Sequence, residues 1–287
     1  MAQKSHYKSW LHFAKAWNRY IVPPARPCKS QLKIFEKIIK SKSKGGANLN
    51  VLILGATPEL RDLCLEYNLK TIVCDINENM VKAMSSVMRY KKSQKEKIMI
   101  TNWLKTEFAK NSFDFIFGDA SLNQILRKGD IIILLKKLRY FLKPQGLLLI
   151  REVVRFNKRP VLKNDKLWVK YFNKYQKGSI DRMNLYFFYK YQSNANIFHK
   201  SPSLIDSLPM FSKLERLEKW GKLGRGGGEF ISWLEKAMGK SPKPLLVFVK
   251  KDLKDLLKKY FKLLPIKQCK DYSFCRYMPL ILARPRK

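Results

Sequence analysis

Two residues in the first third of the chain have the types and spacing to hold a nucleoside. Gly55 ends the apolar run Val51 to Leu54, and Asp75 ends a second such run. Four consecutive apolar residues that turn on a glycine and enter a helix, opened here by Pro58, read as a buried parallel strand feeding a helix. This is half of a nucleotide-binding β-α unit, in which the strand's carboxyl end and the helix's amino end face one crevice and a glycine lets a ligand approach the backbone. Asp75 follows about twenty residues later, where an ionised carboxylate can accept hydrogen bonds from both ribose hydroxyls and disfavours a 2′-phosphate. The same carboxylate also reads as a cap for the helix that begins at Asn77 and Glu78. Ile76 and Met80 would then flank an adenine with apolar surface. The three-glycine dinucleotide fingerprint is absent, because the turn reads Gly55-Ala56-Thr57-Pro58. That argues against a pyrophosphate ligand but leaves a nucleoside open, beside the plainer reading of an ordinary strand–helix turn.

Such a pair needs a sheet to position it, and the chain supplies one. After "NVLILG" come "KTIVCDI", "KIMITN", "FDFIFGDA" and "GLLLIREVV", separated by amphipathic helical patterns. Strands alternating with helices make a doubly wound, mostly parallel α/β sheet. The clearest helix is "GDIIILLKKLRYFLKPQG", with apolar residues at helical spacing and Lys143, Pro144 and Gly146 to stop it. "PIKQCKDYSF" and "MPLILARP" are expected to pair as an antiparallel C-terminal hairpin, bringing the sheet to seven strands. The first forty residues stand apart as an aromatic helix ended by Pro23 and Pro24, with a second helix from Ser30. Between Arg155 and Tyr260 the pattern turns aromatic and basic, and a segment of this length is expected to form a helical lid or substrate subdomain. The expected organisation is an N-terminal helical cover over 1–45, a cofactor-binding core over 46–154, an insertion over 155–262 and the closing hairpin over 263–287.

Composition sets the outer limits. The chain has 287 residues, 46% of them hydrophobic, enough for a substantial core. No apolar stretch reaches the roughly 18 residues of a membrane span, and "MAQKSHYKSW" lacks a signal peptide's apolar centre, so a cytoplasmic protein is expected. Cys28, Cys64, Cys74, Cys269 and Cys275 are odd in number and contain no C-x-x-C pair, so reduced structural thiols are expected and a zinc site is not. The net charge of +37 would attract nucleic acid, an anionic membrane or an acidic substrate. The lysines are spread along the chain, however, and nothing singles out an element that reads bases.

The succession "VLILGATPEL", "TIVCDINENMVKAM", "NSFDFIFGDASLNQI" and "LKKLRYFLKPQGLLLI" resembles the motif series of class I S-adenosylmethionine-dependent methyltransferases. The resemblance covers about Leu49 to Val154 plus Pro265 to Arg284, and it implies S-adenosyl-L-methionine as cofactor. It places Gly55, Ala56 and Thr57 under the cofactor's methionine part, and Asn102 and Trp103 beside the adenine; Trp103 reads equally well as core packing. Gly118, Asp119 and Ser121 follow the fourth strand, next to where the family holds the transferable methyl. The chain departs from the family in the later glycines of its turn.

Methyl transfer is a displacement at carbon, so the main tasks are to align the acceptor and exclude water. Asp119 could bind the methionine ammonium, help hold the cationic cofactor, or take the acceptor's proton as a catalytic base; it could also simply cap the helix near Ser121. The Asn/Asp-Pro-Pro-aromatic tetrad of many amino-methylating enzymes is absent, which counts against adenine or glutamine N-methylation. His6, His12 and His199 are scattered and read as surface or packing residues. "GRGGGEF" reads as a flexible loop rather than an anion cradle, and Tyr186, Phe187, Phe188, Tyr189 and Tyr191 as core rather than base-stacking residues. The reading is a methyltransferase acting on a small-molecule acceptor. Its alternatives are an RNA methyltransferase, a non-catalytic RNA-binding scaffold on the same fold, and, third, a nicotinamide-dependent oxidoreductase.

Overall fold

A computed structural model describes residues 10–11, 14–15, 17–43, 48–91, 93–155, 198–200, 246–272 and 275–286. In chain order the helices are α1 (Trp17–Tyr20), α2 (Lys29–Lys42), α3 (Pro58–Glu66), α4 (Glu78–Val87), α5 (Lys128–Phe141) and α6 (Lys250–Lys258). The strands are β1 (Asn50–Leu54), β2 (Lys70–Asp75), β3 (Glu96–Ile100), β4 (Phe113–Asp119), β5 (Leu142–Arg151), β6 (Val154–Arg155), β7 (Phe198–Lys200), β8 (Leu246–Val249), β9 (Phe261–Leu264) and β10 (Leu280–Pro285).

Seven strands form one sheet in the order β3-β2-β1-β4-β5-β10-β9. The first five are parallel, while β10 runs antiparallel to both β5 and β9. The apolar run of β1 is explained by its central place, since its alternate residues pack on opposite faces. Val51 and Ile53 join Phe35 and Ile39 of α2 and Leu60 and Leu63 of α3 on one side. Leu52 and Leu54 join Leu134, Leu135 and Leu138 of α5 and Leu253 and Leu257 of α6 on the other. On α5 the buried set Ile131, Leu134, Leu135 and Leu138 keeps the spacing that makes one apolar helix face. Each such side chain taken out of water stabilises the fold by about 1.5–3 kcal/mol before entropy is counted.

Two boundaries differ from the sequence reading. The helix α5 stops at Phe141 and β5 begins at once, so Lys143, Pro144 and Gly146 lie in the strand; Pro144 holds Lys143 in extended backbone. The register against β4 shifts between Phe113 and Phe115, which accommodates this irregular start. The penultimate strand is Phe261–Leu264, not the stretch after Pro265. That stretch runs beside β10 through a side chain instead, because Gln268 Oε1 accepts from the Leu280 N–H and Gln268 Nε2 donates to the Leu280 carbonyl, both at 2.9 Å. The hairpin's antiparallel strand therefore enters between β5 and β9.

Of the expected helical insertion the described residues include helix α6 and strands β7 and β8, which form a second sheet with β6 in the order β6-β8-β7, β8 being parallel to β6 and antiparallel to β7. Helix α6 and β8 pack into the main core and root the insertion there. Among the described residues no helix is long and apolar enough to cross a membrane.

Candidate functional site

The carboxyl ends of β1, β2 and β4 and the amino end of α3 converge as the sequence reading requires. Gly55 has φ +102°, a conformation that glycine alone adopts without strain, and its N–H donates to the Cys74 carbonyl at 2.8 Å. This bond ties the first turn to the end of β2. A Cβ built at Gly55 would meet as its nearest neighbour the Asp75 Oδ2, at 4.0 Å. The other carboxylate oxygen, Oδ1, accepts the Asn77 N–H at 2.7 Å, while the Asn77 side chain caps α4 by accepting from Met80 N–H. Asp75 thus fixes its turn with one oxygen and places the other beside Gly55. Ile76 beside it is 62% exposed, an apolar side chain standing open at the strand end.

Asn102 and Trp103 close β3. The Asn102 Oδ1 accepts the Leu104 N–H, and the Trp103 Nε1 donates to the Cys74 carbonyl at 2.7 Å, so the indole is pinned against the end of β2 and half-buried on the core. Ala56 is fully buried, and Met80 packs with it beneath Trp10 and Trp17 of the N-terminal segment. That segment therefore lies over the glycine turn.

Beyond β4, charged groups are buried in pairs. Arg151 is 1% exposed and binds Asp119, with both Nε and Nη2 at 2.7 Å from Oδ1, and its Nη1 donates to the Pro24 carbonyl. The attraction of the carboxylate keeps this buried guanidinium firmly charged against its desolvation. Ala120 takes a left-handed φ of +52°, and its N–H donates to the Arg151 carbonyl. A non-glycine residue in that region holds local strain, and it turns the chain sharply just after Asp119.

Ser121 is turned inward. A side chain at Gly118 would run into its hydroxyl, which donates to Glu152 Oε1 at 3.0 Å. Glu152 also accepts the N–H groups of Leu122 and Asn123. Burial pushes the Glu152 carboxyl up to about 8, against the lowering effect of the Leu122, Ser121 and Asn123 donors. Asn123 completes the knot by donating to the carbonyls of Val153 and Leu246 and accepting from the Val153 N–H. The turn after β4 is thereby fixed to the root of the insertion.

A pH dependence follows. An acid whose folded value lies above its unfolded one keeps its proton in the native chain while the unfolded chain releases it, so native stability falls as pH rises from about 4.5 to about 8. Glu152→Gln removes this titration. Its stability relative to the parent chain is expected to improve over that range and level off above it, as read by urea unfolding at several pH values. Parallel curves would show Glu152 ionised throughout.

Sequence reasoning did not find Glu59. It sits in the first turn of α3, where an acid looks like ordinary complement to the helix dipole. In the fold its Oε1 accepts from Trp17 Nε1 at 3.1 Å and Arg26 Nη1 at 3.3 Å, while Oε2 is buried with no hydrogen-bond partner among the described residues. Burial raises its carboxyl, with the nearby Asp119 adding to the effect and Arg26 opposing it. His6, His12, "GRGGGEF" and the aromatic run Tyr186 to Tyr191 lie outside the described residues, and for His199 only the backbone pairing with Val247 is described.

Residues 55–150 match the family described as "Methyltransferase domain". No curated protein matches the sequence significantly. A putative S-adenosylmethionine-dependent methyltransferase from Listeria monocytogenes is similar in structure, with 13% identity over 88% of this chain and 97% of that one, at a TM-score of 0.50. The 1,6-didemethyltoxoflavin-N1-methyltransferase of Burkholderia thailandensis, solved with its acceptor and S-adenosylhomocysteine, gives 11%, 89%, 78% and 0.50 for the same quantities. A Rhodobacter sphaeroides structure described as a putative zinc-dependent alcohol dehydrogenase gives 13%, 98%, 99% and 0.56. Likeness at these identities speaks for the fold alone. The strand order distinguishes the sheets, since a dinucleotide-binding sheet runs in the parallel order 3-2-1-4-5-6 and this one inserts an antiparallel β10 before its edge. The domain match begins at the glycine turn and, with that sheet, identifies residues 55–150 as a methyltransferase domain of the S-adenosylmethionine-dependent type of fold.

Proposed function

We propose that the chain binds S-adenosylmethionine over Gly55 and Asp75 and methylates a small-molecule acceptor. The observation that carries the reading is a left-handed Gly55 with the Asp75 carboxylate beside it at the carboxyl end of the sheet. The residues present suit the cofactor. Asp75 would take the ribose hydroxyls, Ile76 and Met80 would flank the adenine with Asn102 and Trp103 closing that side, and Gly55, Ala56 and Thr57 would lie under the methionine part. Glu59 Oε2, buried with no hydrogen-bond partner among the described residues, offers an acceptor for an ammonium at the same end.

When bound, the cofactor supplies a methyl carbon made electrophilic by its sulfonium. The protein's part is geometric and electrostatic. Asp119 is bound to Arg151, so we assign it to holding the turn and its charge beside the methyl position; taking the acceptor's proton would require breaking a buried ion pair. Gly118 and Ser121 would shape that turn, and Trp10 and Trp17 would exclude water from above. Support for a small acceptor comes from the missing amine-holding tetrad and from a similar fold that serves 1,6-didemethyltoxoflavin in the Burkholderia protein. Calorimetry with S-adenosylmethionine, S-adenosylhomocysteine and NAD tests the cofactor. Binding of the first two alone is expected, and binding of NAD alone would overturn the reading.

The RNA alternative has its own observation. A cavity of about 1040 Å³ opens at the opposite end of the sheet and is lined by Lys110, Lys136, Arg139, Lys262, Arg284 and Arg286. A true RNA footprint neutralises several phosphates together, and log affinity then falls with log salt by about 0.7–0.9 per contact. Weak binding that vanishes near about 150 mM salt is expected here. Retained tight binding to total cellular RNA at that salt, with methyl incorporation into it, would replace the small-acceptor reading.

A further inference from the structure

The five cysteines divide into two kinds. Cys64 and Cys74 are buried in the sheet's own core, where desolvation holds both thiols up at about 12. The other three come from distant parts of the chain and meet. Cys28 precedes α2, whereas Cys269 and Cys275 flank the bend that leads into β10. Their sulfurs all lie within 4.8 Å of one another, with Cys269 and Cys275 at 3.0 Å. Cys28 and Cys275 are buried and Cys269 is half-buried.

We propose that Cys28, Cys269 and Cys275 form a thiolate site for a zinc-class divalent cation, which clamps the N-terminal cover to the C-terminal hairpin. Around a tetrahedral zinc with sulfur at about 2.3 Å, neighbouring sulfurs stand about 3.8 Å apart. The observed spacings bracket that value, so side-chain shifts of under about an ångström seat an ion. Three converging thiols are one too many for a disulfide, which would leave the third sulfur buried without a covalent partner. The cation takes the place of the thiol protons, which pass to solvent, and water fills the fourth position on the half-buried side of Cys269.

The site also has a mechanical place in the fold. Tyr272, between the two C-terminal ligands, lies against Arg151, and Arg151 reaches Met278 Sδ, the Pro24 carbonyl and Asp119. A clamp at the three sulfurs therefore holds both chain segments that surround the Arg151–Asp119 pair. Sequence reading alone expected no metal here, because the ligands are 241 residues apart at the nearest crossing and contain no C-x-x-C pair to flag them.

The test is metal analysis of the full chain purified under reducing, chelator-free conditions, together with cobalt titration of the metal-stripped protein. One equivalent of zinc is expected, and cobalt is expected to give the intense thiolate-to-metal charge-transfer absorption of a sulfur-rich tetrahedral site. Cys28→Ser, Cys269→Ser and Cys275→Ser should each lose the retained zinc and that absorption, while Cys74→Ser keeps both. The wild-type measurements stand whether or not a variant folds. Metal-free protein that fails to bind cobalt or zinc, or a quantitative Cys269–Cys275 disulfide in that reduced preparation, would overturn the proposal.

Discussion

Replacing Gly55 by valine is expected to abolish binding of S-adenosylmethionine and S-adenosylhomocysteine while leaving the chain folded. Two effects act together. The backbone sits at φ +102°, where a β-branched side chain costs on the order of 1–3 kcal/mol of strain. The new side chain would also stand where the proposed cofactor lies against the turn. Among the described residues its Cβ meets nothing closer than the Asp75 Oδ2 at 4.0 Å, so the fold is expected to tolerate the added atoms and the ligand is not. The measurement is calorimetric titration beside thermal unfolding. A variant that melts a few degrees lower but binds normally would remove the glycine turn from the site. Retained folding with lost binding separates this outcome from general collapse.

Asp75→Ala is expected to weaken the cofactor roughly ten- to hundredfold. Hydrogen bonds to a charged acceptor contribute about 1.5–3 kcal/mol each, and about 1.4 kcal/mol is tenfold in affinity. The substitution also removes the Oδ1 acceptor of the Asn77 N–H, so the turn before α4 loosens and stability falls modestly. Asp75→Asn separates the two roles, since its amide oxygen can still receive the Asn77 N–H while the charge toward Gly55 is gone. If Asp75→Asn binds as the parent chain does, charge at the ribose position contributes little. If Asp75→Ala also binds normally and remains folded, Asp75 is only a turn residue.

How much of this was legible beforehand depends on the range of the interaction concerned. The β1 strand, Gly55, Pro58 and α3 are local signals: an apolar run buried on both faces, a glycine where φ must be positive, and a proline at a helix start. Asp75 could be placed because strand and helix lengths fix how far apart two strand ends fall in sequence. The two proposed roles for Asp75 could not be separated, because a carboxylate has two oxygens and only the fold shows that one holds Asn77 and the other faces Gly55.

The start of β5 was misjudged since Pro144 and Gly146 break a helix and also suit an irregular strand. The last two strands were misplaced for a related reason. Gln268 imitates a strand's hydrogen bonds with its side chain, so the stretch after Pro265 looks extended without joining the sheet.

The amino-acid sequence by itself determined the doubly wound sheet, the glycine turn and the carboxylate at the end of β2, because hydrophobic period, glycine conformational freedom and strand–helix alternation act over neighbouring residues. Tertiary structure alone decided which charges face each other. Arg151 with Asp119, Glu152 with the turn at Ser121 to Asn123, Trp17 and Arg26 with Glu59, and Cys28 with Cys269 and Cys275 join residues from about 30 to about 247 positions apart. No local preference encodes such encounters. They arise because the fold brings distant segments together, where burial makes an unpaired charge costly and so favours a partner.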